Sequence, residues 1–271
     1  MSKYIQVEFN SISPTLQDVF IALLQAEDYE GFEQAGEVLR SYCKEEKFNE
    51  EILSVIAGKN KIGYTVSLVE ETNWNKLWES NFQPVIIDDF VCIRADFHDP
   101  VPGVEHNIII NPKMSFGTGH HATTNMMIRQ MRRIVFSKKT VIDFGTGTGI
   151  LAILAEKLGA ASVVAIDNDD WSIQNASENL ANNNCHVVQV LNAGILPPGP
   201  KVDIILANIN KNVILDNFFT LIEKLHNGGI LLLSGLLEED ELAIQEQVKN
   251  HSLRIVDKLV EKNWICMRIL R

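Results

Sequence analysis

The chain has 271 residues, enough for one large domain or for a large domain beside a small one. Hydrophobic residues make up 46% of it and no low-complexity stretch interrupts it, which argues against long disorder and allows a sizeable core. A formal net charge of −11 repels nucleic acid unless a local basic patch exists, so no direct nucleic-acid binding is expected. The basic clusters, Arg129-Gln-Met-Arg132-Arg133 and Lys138-Lys139, read as a solvated helix face and its exit turn. The start, Met1 to Glu8, has early charges and no apolar core, unlike a signal peptide. The most apolar run, Ile230 to Leu237, is too short to span a bilayer, so a cytoplasmic protein without membrane association is expected. Cys43, Cys92, Cys185 and Cys266 lie far apart without metal-ligand spacing, and no metal site is expected.

In chain order, residues 3–9 read as a strand with Ile5, Val7 and Phe9 on one side. Ser13-Pro14 opens a helix to Gln25, with Leu16, Val19, Phe20, Leu23 and Leu24 on one face. Short strands follow at 30–35 and 37–43, then a helix over 49–57 ended by Gly58, then a strand over 64–69. The order β-α-β-β-α-β predicts a small N-terminal α+β, ferredoxin-like domain over residues 1–72. Residues 73–84 read as a linking helix, with Trp74, Leu77 and Trp78 sharing a face that packs one domain against the other. Residues 85–271 form the second domain. Strands are expected at 85–88, 91–95 and 107–111, with a turn at Asp88-Asp89.

From about 122 the pattern alternates. A helix carries Met126, Met127, Met131 and Ile134 on its apolar side, and Thr140–Asp143 is a strand. A helix over Gly149–Leu158 follows, then a strand over Ser162–Asp167 and a helix to Ala181. Strands over Val187–Leu191 and Val202–Ala207, a helix over Phe218–Leu225 and a strand over Ile230–Leu233 complete the series. Continuous apolar strands imply burial on both faces, and the alternation implies a doubly wound, parallel α/β sheet of Rossmann-like type.

Ligands of such sheets bind at the carboxyl ends of the strands. Asp143-Phe-Gly145-Thr-Gly147-Thr-Gly149 leaves one of these ends and enters a helix, whose first turn offers unpaired N–H groups. The spacing G-x-G-x-G differs from the dinucleotide fingerprint G-x-G-x-x-G, since position 150 is Ile. Asp143 before the turn suits a cationic ligand, such as a sulfonium amino acid, better than a pyrophosphate. Methyl transfer from S-adenosylmethionine is therefore expected over nucleotide redox chemistry. Asp167, ending the second strand, can accept both ribose hydroxyls, with Asn168 or Asp169 left to cap the next helix. Asn208, ending another strand, faces the reactive edge or caps its loop. Upstream, Asn111 to Thr124 forms a loop with small residues at Ser115, Gly117 and Gly119, whose Thr123 and Thr124 reach either a ligand or the first helical turn. His120 and His121 are adjacent, so their side chains diverge, and no third metal ligand accompanies them.

The segments Phe116-Gly-Thr-Gly-His-His-Ala-Thr-Thr124, Asp143 to Ala152, Ala165-Ile-Asp167 and Ala207-Asn-Ile209 closely resemble the ribosomal protein L11 methyltransferase (PrmA) family, and Trp78 to Pro84 resembles that family's linker. The resemblance is strong over about 73–240, and its specific part is the loop at 116–124. It implies S-adenosylmethionine as donor and ribosomal protein L11 as acceptor, methylated on lysine side chains and on its N-terminal amine. It also implies that the N-terminal domain recognises the substrate protein and moves relative to the catalytic domain. By matching position it implies cofactor contacts at Thr124, Gly145, Gly147, Asp167 and Asn208, with Asn208 at the reacting centre. Asn208 is followed by Ile-Asn and not by Pro-Pro-Tyr, which argues against glutamine or adenine methylation. Methylation of RNA or of a small molecule, and a non-catalytic cofactor-binding module, remain the alternatives. Oligomeric state is open, with a monomer favoured.

Overall fold

The computed structural model describes residues 4–25, 27–29, 31–69, 83–111, 117 and 119–271. It falls into two compact units, residues 1–82 and 83–271. The expected linking helix with Trp74, Leu77 and Trp78 lies outside the described residues, as do Ser115 and Phe116. Among the described residues, no helix is long and apolar enough to cross a membrane.

In the first unit, β1 (Tyr4–Phe9), α1 (Pro14–Gln25), β2 (Gly31–Ala35), β3 (Val38–Lys44), α2 (Glu50–Lys59) and β4 (Tyr64–Val69) build an antiparallel sheet of order β2-β3-β1-β4. This is the ferredoxin-like order. Alternation along β1 sends Ile5, Val7 and Phe9 inward, where Phe9 meets Phe20 of α1 edge to face at 5.1 Å. The buried stripe of α1 is narrower than its apolar stripe: Phe20 and Leu24 are buried, whereas Val19 and Leu23 are exposed. Asn49 caps α2 by accepting from the amides of Glu51 and Ile52. The helix passes through Gly58, against expectation. It closes where the Ile62 amide returns to the Ala57 carbonyl, with Lys61 left-handed and Ile62 packed on the core.

The second unit starts with a three-stranded sheet, β5 (Val85–Ile87), β6 (Val91–Arg94) and β7 (His106–Ile109), in that order. Asp88, left-handed at φ 51, turns β5 into β6. The main sheet follows: α3 (Ala122–Met131), β8 (Thr140–Phe144), α4 (Ile150–Lys157), β9 (Ser162–Asp167), α5 (Asp170–Asn182), β10 (Val188–Asn192), β11 (Val202–Asn208), α6 (Lys211–Lys224), β12 (Leu225–Leu237), α7 (Glu241–Asn250), β13 (Arg254–Glu261) and β14 (Trp264–Leu270). Its order is β10-β9-β8-β11-β12-β14-β13. Val141 and Ile204 point to a core shared with α3 and α4, and Ile142 and Ile205 to one shared with α6 and α7. Helices thus cover both faces, as the apolar strands require.

Three expectations change. The sheet is mixed, because β14 runs antiparallel to β12 and pairs with β13 through a turn at Lys262-Asn263, both at positive φ. β10 is an edge strand and only half-buried, so its apolar run does not mean burial on both faces. The helix expected at Phe218 begins at Lys211, where Asn210 accepts from the Val213 amide, and ends at Lys224, because Leu225 already starts the longer strand β12. Ile214, Phe218, Leu221 and Ile222 line its buried face at helical spacing, so the earlier start is also written in the sequence.

Buried asparagines spaced by four along α5 tie the two sheets of this unit together. Asn183 accepts from the Ile109 amide at 3.0 Å and donates to its carbonyl at 2.6 Å, pairing the open edge of β7. Asn179 accepts from the Asn111 amide and donates to the Thr148 carbonyl, both at 2.9 Å. Asn183→Ala leaves the Ile109 amide and carbonyl unpaired and should lower stability by about 1–3 kcal/mol, read as a shifted urea midpoint. An unchanged midpoint would mean that water replaces these bonds without loss.

Candidate active site

The carboxyl ends of β8, β9 and β11 lie side by side because β8 pairs in parallel with both neighbours. Above them opens a cavity of about 490 Å³, bordered by Gly145, Gly147, Asp167, Asn208, Ile209 and Trp264 among others. That volume suits a ligand of cofactor size.

The glycine turn is held from below. The Gly145 and Thr146 amides both donate to the Ile166 carbonyl, at 2.8 and 2.9 Å, which extends the β8–β9 pairing past the strand end. The Gly147 amide donates to Asp167 Oδ2 at 2.9 Å, and the Asp169 amide donates to Oδ1 at 3.1 Å. Each carboxylate oxygen keeps further lone-pair capacity for a ligand. Asp169 caps α5 by accepting from the Ser172 amide at 2.9 Å, which leaves Asp167 to the cavity.

Asp143 behaves differently from the expectation that it would face a cation. It shares the side of β8 that carries Val141, is fully buried, and does not border the cavity. The Thr146 hydroxyl donates to its Oδ2 at 2.6 Å, while among the described residues Oδ1 has no donor in hydrogen-bonding geometry. Burial raises its pKa to about 7, against the lowering effect of Thr146 and of the nearby Ala152 amide. Asp143 therefore braces the turn from beneath.

Asn208 borders the cavity at the end of β11. Its Nδ2 lies 3.4 Å from Thr124 Oγ1, and its buried Oδ1 has no partner among the described residues. Thr124 is itself fully buried and does not border the cavity; it stands behind Asn208. His121, to which the sequence assigned no role, is the N-cap of α3 and accepts from the Thr123 amide at 3.3 Å. The adjacent Thr148 hydroxyl donates to the Gly117 carbonyl at 2.7 Å, which binds this loop to the glycine turn.

Sequence reasoning missed Trp264 and Ile209. Trp264 reaches the cavity from the start of β14 and meets the His121 ring edge to face at 4.8 Å. Only the β13–β14 hairpin brings it there, and its Lys262-Asn263 turn lacks the glycine that marks such hairpins. Ile209 follows Asn208 directly, and an apolar residue in a loop carries no signal of its own.

Comparison with known proteins gives the family. The sequence model of the family described as ribosomal protein L11 methyltransferase (PrmA) matches residues 7–271. The chain belongs to this family. A relative of that name from Phocaeicola vulgatus is 35% identical over 278 residues, covering 99% of both chains. One from Porphyromonas gingivalis is 38% identical over 262 residues, covering 94% of this chain and 90% of its own. The crystal structure of ribosomal protein L11 methylase from Lactobacillus delbrueckii subsp. bulgaricus superposes with a TM-score of 0.66 at 31% identity, covering 70% of this chain and 99% of that one.

The buried Asp143 predicts a pH signature. Its folded pKa of about 7 lies above the ordinary 3.8, so between these values the folded chain keeps a proton that the unfolded chain has lost. Its stabilising contribution is full below the unfolded value and is lost as pH rises through about 7. Relative to Asp143→Asn, the native chain should therefore lose stability between about pH 4 and about pH 7 in urea unfolding. Parallel profiles for the two proteins would show that Asp143 does not titrate there.

Proposed function

We propose that the chain transfers methyl groups from S-adenosylmethionine to amino groups of ribosomal protein L11, on lysine side chains and on the N-terminal amine. The observation that carries this reading is the buried Oδ1 of Asn208, which no described residue partners, at the edge of a cofactor-sized cavity. A buried amide oxygen without a donor is costly, and an incoming amine supplies one.

The residues present fit the cofactor. Asp167, fixed by the Gly147 and Asp169 amides, retains acceptor capacity for the two ribose hydroxyls. Gly145 and Gly147 let the backbone approach the amino-acid portion, and Thr124 contributes through Asn208. Asn208 lies two strands from Asp167, about 10 Å by strand spacing. When bound, S-adenosylmethionine supplies an electrophilic methyl carbon, and the protein's work is to align the acceptor with it.

The acceptor amine must be neutral. At pH 7 a lysine costs roughly 4–5 kcal/mol to deprotonate and an α-amine near 8 about 1 kcal/mol. Among the described residues bordering the cavity the one carboxylate is Asp167, which the ribose engages. Asn208 accordingly orients: its Oδ1 accepts an amine N–H and turns the nitrogen lone pair toward the methyl group. The N-terminal unit, with its own core, is assigned to recognition of the protein substrate.

With methyl-labelled S-adenosylmethionine and total ribosomal proteins, label should appear on L11, and mass spectrometry should place it on lysines and the N-terminus. Label confined to RNA would overturn the substrate. Asn208→Ala should reduce methyl transfer by about 100-fold while leaving thermal unfolding unchanged. Wild-type turnover in that variant would remove its role. Asp167→Ala should weaken S-adenosylhomocysteine binding by about 10- to 100-fold in calorimetry, the equivalent of one or two charge-assisted hydrogen bonds. Undiminished affinity would mean that the ribose binds elsewhere.

A further inference from the structure

Ile209 occupies a place made by two glycines, one in the turn after β8 and one in β12. A Cβ on Gly145, the first glycine of the turn, would stand 2.2 Å from Ile209 Cγ2. A Cβ on Gly235, in β12, would stand 2.1 Å from the Ile209 carbonyl oxygen, 2.7 Å from its carbonyl carbon and 2.9 Å from its nitrogen. Both glycines have positive φ, 76° and 82°. Side-chain packing on one side and backbone packing on the other thus fix the residue that follows Asn208.

The strand that carries Gly235 is shaped for this contact. β12 pairs Leu233 with Met267 and Leu236 with Ile265 of β14, so Ser234 and Gly235 together oppose Cys266. This is a β-bulge, a device that bends a strand and re-aims what packs against it. Its position is locked from both sides: the Ser234 hydroxyl donates to the Ile265 carbonyl at 2.9 Å, and the Ser234 carbonyl accepts from the Ile209 amide at 3.2 Å. One residue further along β14 is Trp264, which borders the cavity with Ile209 and Gly235. The bulge therefore shapes the cavity wall and holds the Asn208–Ile209 segment at once.

We propose that Ile209 is a positioning residue for methyl transfer, clamped between Gly145 and the Gly235 bulge so that the Asn208 carboxamide is held at the reacting end of the cavity. This rests on Asn208 acting as the acceptor for the amine. Among the described residues Asn208 has one side-chain partner, Thr124 Oγ1 at 3.4 Å, so its aim depends on the backbone beneath it. The β-branched methyl of Ile209 makes the contact with Gly145, and that methyl survives in Val but not in Ala.

The test compares six variants of the full chain, four single and two double, for turnover on L11 peptide, S-adenosylhomocysteine affinity and thermal unfolding. Ile209→Val should keep kcat within about threefold, whereas Ile209→Ala should lose about tenfold or more, with cofactor affinity altered less than kcat. Gly235→Ala should lower kcat by about 100-fold, the cost of misplacing the reacting group by about 1 Å. Adding Ile209→Ala to Gly235→Ala should restore nothing, because the clash there is with backbone. Adding it to Gly145→Ala should recover part of the cofactor affinity that Gly145→Ala loses, because the clash there is with a side chain. Equal turnover in Ile209→Ala and Ile209→Val overturns the proposal, as does rescue of Gly235→Ala. If Gly235→Ala does not fold, the Ile209 pair and the Gly145 rescue still decide it. An inactive Asn208→Ala beside a fully active Ile209→Ala would refute the clamp alone, whereas a fully active Asn208→Ala would refute the acceptor role on which it rests.

Discussion

The amide of Gly147 donates to the carboxylate of Asp167, and this bond joins the first turn of the sheet to the second. It orders a turn whose glycines have no side chains to hold them, and it fixes the carboxylate that would otherwise rotate. Both partners sit at strand ends brought together by parallel pairing of β8 and β9. The Ile166 carbonyl, accepting from Gly145 and Thr146, continues that pairing into the turn. A cavity wall made of backbone is thereby held rigid without filling the space a ligand would need.

The remaining walls are tied to this turn through polar groups buried among apolar ones. Thr148 reaches Gly117 in the preceding loop, and Asn179 binds both Thr148 and Asn111. Thr146 satisfies one oxygen of Asp143 beneath the turn, while burial raises the pKa of that carboxyl. Such groups contribute modestly when paired and cost about 1–3 kcal/mol each when a partner is lost. The site is therefore stiff where its network is complete; among the described residues the Oδ1 of Asn208 is an open acceptor at the cavity edge, whereas that of Asp143 lies beneath the turn. Belonging to the L11 methyltransferase family sets the Asn208 oxygen in a methyltransferase, where the proposed amine acceptor would supply the donor it lacks.

Much of this was legible in the residues. Strict alternation along Tyr4–Phe9 and the continuous apolar runs over Val141–Ile142 and Val163–Ile166 gave strands of the right kind, because burial on one face or two leaves a direct imprint on sequence. Asp167, Gly145 and Asn208 were readable because each ends or follows a strand, and strand ends are where such sheets bind ligands. Asp143 misled because sequence position shows that a residue precedes a turn but not which face of the strand it takes. The edge position of β10 and the reversed direction of β14 were invisible for a related reason: neither is encoded in a strand's own composition.

By itself, then, the sequence determined the two-unit order of elements, the glycine turn and the polar residues at strand ends, since periodicity and turn chemistry are local properties. Only the tertiary structure decided what lies against what. It placed Trp264 in the cavity from a hairpin nearly sixty residues beyond Asn208, a separation of about 190 Å in an extended chain. It set Thr124 behind Asn208 and pressed Ile209 between two glycines ninety residues apart. These contacts are long-range, and no window of sequence contains both partners.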